Sequence, residues 1–143
     1  MKAWKLALAV IGFALVLGPV DQPNAQGGSV FTLKLCNRSN EDIQLALIHR
    51  VSPTDNRFRI RGWFDLPRGC YDVTGLPRGW VYWFGVAKSG KGFWGGKATD
   101  VCIGAAPFDR VSGGGYECKP DEQLVGFAGN VIDVDVYTVT FNP

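Results

Sequence analysis

Between residues 57 and 61 the chain alternates strictly, with Arg57, Arg59 and Arg61 on one parity and Phe58 and Ile60 on the other. Successive side chains of a pleated strand point to opposite faces, so this run predicts a half-buried β-strand. Gly62 then interrupts the alternation, as a bulge or a close backbone approach requires. Trp63 and Phe64 form an apolar anchor, Pro67 to Gly69 supply turn chemistry, and Cys70 offers a covalent tie to a distant part of the chain. A strand, an anchor, a turn and a crosslink site in 14 residues leave little room for a helical fold.

The rest of the chain reads the same way. Phe31, Leu33 and Leu35 alternate with Thr32 and Lys34, and Ile43, Leu45 and Leu47 repeat the pattern after the polar cluster Cys36 to Asn40. The short gap makes these two runs a candidate antiparallel hairpin. Further strands are expected over 71–76, 80–87 and 136–141. The run from Trp80 to Ala87 is apolar on both parities, which suits a strand covered on both faces or one presenting aromatics outward. Between Asp100 and Asp121 the pattern is weak. No segment after residue 25 carries a 3.6-residue period with caps. Short β-branched and aromatic runs punctuated by Gly, Pro and Asn imply an all-β fold, an antiparallel β-sandwich or small barrel, in one domain over about residues 28–143.

The N-terminus has a different character. Lys2 and Lys5 precede an apolar run of 12 residues, Leu6 to Leu17, and Gly18, Pro19 and Pro23 break it before Ala25. This is the layout of a secretory signal peptide over 1–25, with the apolar run as a signal helix too short for a comfortable membrane span, and an uncleaved membrane anchor is the rival reading. No transmembrane span is expected after its removal, and export implies a periplasmic or secreted protein. Four cysteines follow: Cys36, Cys70, Cys102 and Cys118. An even number in an exported small domain reads as a disulfide framework. Three pairings are open, and nearest-neighbour pairing is expected because each bridge then closes a compact segment. A zinc site lacks both C-x-x-C spacing and histidines, so no metal or other cofactor is expected.

The chain resembles a family of small exported bacterial proteins known as domain of unknown function 1036. The resemblance rests on Leu35 to Ser39, on Gly62-Trp63-Phe64, Leu66-Pro67 and Gly69-Cys70, and on the strand around Tyr82-Trp83. It continues through Trp94 to Lys97, Cys102, Cys118, Gly126-Phe127 and Tyr137 to Thr140. Phe64 stands where the family usually carries a second tryptophan. The resemblance implies an exported, cysteine-containing domain and brings no established activity.

Candidate chemistry is sparse. The one histidine, His49, shares parity with Ile43, Leu45 and Leu47 and reads as a structural residue with one hydrogen bond. With the cysteines oxidised there is no activated nucleophile, and neither Gly-x-Ser-x-Gly nor a phosphate loop occurs. A catalytic role is therefore not expected. The arginine row Arg57, Arg59 and Arg61 would line one strand face at a spacing of about 7 Å, near the aromatics of residues 80–84. Basic groups beside aromatics suit oligonucleotides, but export argues for an anionic envelope partner instead. Trp83 opposes Trp80, Tyr82 and Phe84 in parity, so either a second layer covers it or it is an exposed stacking platform. Trp94 lies in a glycine-rich stretch. Arg57, Arg59, Arg61, Trp83 and Trp94 are thus the candidate binding residues. The expected function is a non-catalytic cell-envelope binding module for an anionic lipid or glycan. The alternative is an interaction module or inhibitor that docks on an envelope enzyme through the Cys102–Cys118 loop. Nine basic residues against three acidic ones between Arg50 and Lys97, and two against seven from Ala98 onward, give a dipolar surface unless the two halves interleave in space.

Overall fold

The alternating runs become strands in the computed structural model of the chain, which describes residues 29–112 and 117–143. These are β1 (Val30–Asn37), β2 (Ile43–Ser52), β3 (Asp55–Leu66), β4 (Gly69–Pro77) and β5 (Gly79–Ala87). They are followed by β6 (Phe93–Trp94), β7 (Thr99–Ile103), β8 (Phe108–Ser112), β9 (Gln123–Ile132) and β10 (Val136–Phe141). The described residues contain no helix, so none of them forms a helix long and apolar enough to cross a membrane. The signal peptide and signal helix expected over 1–25 lie outside the described residues.

Two sheets stack. One has the order β10-β1-β4; the other runs β7-β9-β5-β2-β3-β8, with β6 added to β5. Between them lie Phe31, Leu33, Leu35, Leu76, Val139 and Phe141 from the small sheet, against Ile43, Leu45, Leu47 and Val81 from the large one. The sandwich is antiparallel except where β1 runs parallel to β10. The expected hairpin of the first two runs does not form: β1 pairs with β4 and β10, whereas β2 pairs with β3 and β5. The intervening cluster carries the chain from one sheet to the other. Buried Asn37 donates to the carbonyls of Glu41 (2.8 Å) and Leu66 (2.9 Å) and accepts from the backbone and hydroxyl of Ser39. Every polar group of that side chain is matched inside the fold, as a buried amide requires.

The large sheet curls. On its other face Ala46, Ile48, Ile60 and Phe84 meet Ile103 and Phe127, with Trp63 and Phe108 packed alongside, so residues from opposite ends of the sheet share one core. Trp63 of β3 donates from Nε1 to the carbonyl of Gly104 just beyond β7 (2.9 Å). Arg110 of β8 donates to the carbonyl of Cys102 in β7 and pairs with Glu122. The two edge strands are thus tied by side chains rather than by a backbone ladder, which leaves a half-barrel. A sandwich lies on one face of the large sheet and a half-barrel on the other.

Cys36 pairs with Cys70 and Cys102 with Cys118, so all four cysteines are oxidised. The nearest-neighbour pairing is the one found. The first bridge joins register partners of β1 and β4; the second closes the loop holding β8. Two disulfides point to an oxidising, extracytoplasmic setting.

Candidate functional site

The bulge at Gly62 decides which side chains meet. Leu45 lies opposite Phe64 and Leu47 opposite Arg61, so two residues of β3, Gly62 and Trp63, face only Ala46. A Cβ on Gly62 would sit 2.9 Å from the Phe108 ring and 3.1 Å from the Ala46 methyl. The strand therefore needs glycine where it presses against the half-barrel core. The extra residue sends Trp63 into that core and brings Arg61 and Phe64 onto the same inter-sheet face, where the Arg61 guanidinium carbon lies 5.4 Å from the Phe64 ring centre. Strict alternation would have placed Trp63 beside Arg61 instead.

Cross-strand partners share a face, and two rows run across the large sheet on the side that carries the small one. Ala128, Trp83, Leu47, Arg61 and Asp109 form the first; Asn130, Val81, His49, Arg59 and Val111 form the second. The small sheet packs over the apolar members Leu47, Val81 and Trp83. Past that cover the rows turn polar, with His49 from β2, Arg59 and Arg61 from β3, and Asp109 from β8.

The three arginines of the row are not equivalent. Arg57 doubles back on Asp55 in a two-pronged pair (3.1 and 2.7 Å), which holds the Asp55 carboxyl at about 2. Arg59 makes a similar fork to Asp109 (2.9 and 2.6 Å) and pulls that carboxyl below its ordinary range. Arg61 has no carboxylate partner among the described residues, and its buried Nε has no hydrogen-bond partner there. Burial first, and then the neighbouring Arg59 charge, press it below the ordinary guanidinium range; it remains a cation at any physiological pH.

His49 completes the cluster. It is 6% exposed, and its Nδ1 lies 2.8 Å from the carbonyl of Arg50. A carbonyl can only accept, so Nδ1 carries the hydrogen and Nε2 is left as a buried acceptor without a partner. Burial lowers its pKa below 6.5, and the charges of Arg61 and Arg59 add to that. A neutral imidazole therefore shares this face with a guanidinium that has no ion-pair partner among the described residues, although Asp109 stands across from it in register, and each carries an unmatched buried nitrogen. The structural hydrogen bond expected for His49 is present, but the adjoining cluster was not anticipated.

The aromatic candidates separate. Trp83 is partly buried between the sheets, 6.1 Å from the Tyr137 ring, so a second layer covers it. Trp94 donates from Nε1 to the carbonyl of Asn142 (2.8 Å) and packs edge-on against Phe141, which makes it a fastening for the C-terminal strand. The most exposed tryptophan among the described residues is Trp80, 44% exposed and stacked flat on Tyr82. The basic and acidic halves of the chain interleave: Arg59 meets Asp109 and Arg78 meets Asp135, so these charges cancel pairwise.

No family model matches the chain, and no curated protein or solved structure matches it. The family resemblance therefore rests on the residues that carry it.

Proposed function

We propose that the protein is an exported, non-catalytic binding module of the bacterial cell envelope, periplasmic or secreted, that holds an anionic ligand of lipid or glycan class at Arg61. The reading is in keeping with a place in the domain of unknown function 1036 family. One observation carries it: Arg61 is a half-buried cation with an unmatched Nε and no ion-pair partner among the described residues, where its two neighbours in the row are each paired with a carboxylate. Leaving a buried polar group unsatisfied costs about 1–3 kcal/mol, and a ligand that supplies the missing partner recovers that cost on binding. The β2–β3 and β3–β8 ladders hold the cluster residues in register, so less entropy is lost on binding.

The test is co-sedimentation with a purified envelope fraction. The Arg61→Gln protein should bind at least tenfold more weakly than the parent, whereas Arg57→Gln, whose partner is local, should bind as the parent does. Equal binding by Arg61→Gln and the parent would overturn the assignment. If a partner protein were captured independently of Arg61, and lost on changes in the Cys102–Cys118 loop, the protein-directed module would take its place.

A further inference from the structure

Phe64 links the cluster to a second feature. A groove of about 210 Å³ opens between the sheets, with Leu35, Leu45, Leu47, Phe64, Tyr71 and Val73 on its walls. Asp65 is the one charged residue that lines it, and a side-chain hydrogen bond from Gln44 holds its carboxylate. Leu47 is the register partner of Arg61, and the Phe64 ring lies under the Arg61 guanidinium. A molecule seated in the groove would therefore meet the Arg61 cation beyond the Phe64 wall, with Asp65 the one charged group along the slot itself. Arg57 and Arg59 have their own carboxylates, whereas the one carboxylate charge that Arg61 feels is that of Asp109, which is already forked to Arg59, so within the row Arg61 is the one cation left for an anion. The groove is lined by one residue from β1 and two from β4, against five from β2 and β3.

We propose that this groove takes the alkyl chain of a single-chain fatty acid, with the carboxylate seated on Arg61; the proposal rests on the anionic reading of the cluster. A flat, singly charged, two-oxygen head matches one guanidinium fork, and an unbranched tail matches a slot walled by leucine and aromatic side chains.

Calorimetric titration of the disulfide-intact protein with acetate, hexanoate, decanoate and decanol separates the parts. Each buried methylene is worth about 0.8 kcal/mol, or roughly fourfold in affinity, so decanoate should bind at least tenfold tighter than hexanoate. Decanol should bind at least tenfold more weakly than decanoate, and Arg61→Gln should erase that difference. Phe64→Ala, at a position 38% exposed, should weaken decanoate by a larger factor than acetate, because the ring walls the groove as well as lying under the Arg61 guanidinium; should it fail to fold, the chain-length series on the parent suffices. Equal affinities for hexanoate and decanoate, both lost in Arg61→Gln, would overturn the groove assignment and leave the anionic site standing. Decanol binding as tightly as decanoate, in parent and Arg61→Gln alike, would overturn the head assignment and the anionic reading together. A folded parent that binds no decanoate would also overturn the proposal.

Discussion

His49 is held neutral by its surroundings, and the sign of that effect gives a measurement. Its folded pKa lies below the 6.5 of an unfolded chain, so below pH 6.5 the unfolded state binds more protons and stability falls with acidification. The midpoint of urea unfolding should drop as pH is lowered from 6.5 towards 5, and His49→Gln should flatten that stretch. Both proteins should share a further loss at lower pH, where Asp109 and, near 2, Asp55 take up protons and release Arg59 and Arg57. A parent curve flat from pH 7 to 5 would contradict the neutral, buried ring. At this scale alternation alone placed Arg57, Arg59 and Arg61 on one face, because side-chain parity is local. Their inequality was not legible. Asp109, which neutralises Arg59, lies 50 residues away, and nothing in its neighbourhood marks it as a partner.

Among the elements, the strands with clean alternation were readable and those built around glycine were not. β9 carries Gly126 and Gly129 in its interior and exposes Leu124, so its pattern matches no period. The glycines serve a crossing. A Cβ on Gly126 would lie 2.2 Å from the carbonyl oxygen of Gly96, and one on Gly95 would lie 2.4 Å from that of Gly126. Backbone meets backbone there, and no side-chain rotation relieves the contact. Gly126→Ala should therefore destabilise the protein by about 3 kcal/mol, the upper end for overpacking, with the loss read from urea denaturation. An unchanged midpoint would show that the crossing can open. The missed strands β7 and β8 are five residues each, too short for a period to declare itself. The expected hairpin failed for a related reason: a short gap brings strands near one another in sequence, but the buried Asn37 turn decides which sheet each enters.

The whole molecule is held shut at two places by disulfides and at a third by the side chains that join β7 to β8. Replacing Cys36 and Cys70 by serine opens a loop spanning 34 residues, and the chain-entropy model puts the loss at about 4 kcal/mol. Native protein should meanwhile show no reactive thiols on titration. A doubly substituted protein with the parent's urea midpoint would mean that the β1–β4 pairing needs no covalent help. The amino-acid sequence determined by itself that the chain is all-β, where most strands run, that the cysteines pair, and that a basic row shares one strand face. Each of these follows from short-range periodicity or from residue type. Only the tertiary structure decided that the large sheet curls, that the small sheet stops short of Arg59 and Arg61, and that Trp83 is covered while Trp80 is not. Those outcomes depend on which distant strands pair and how one sheet lies on another. That is a competition among long-range contacts, and no local pattern records its result.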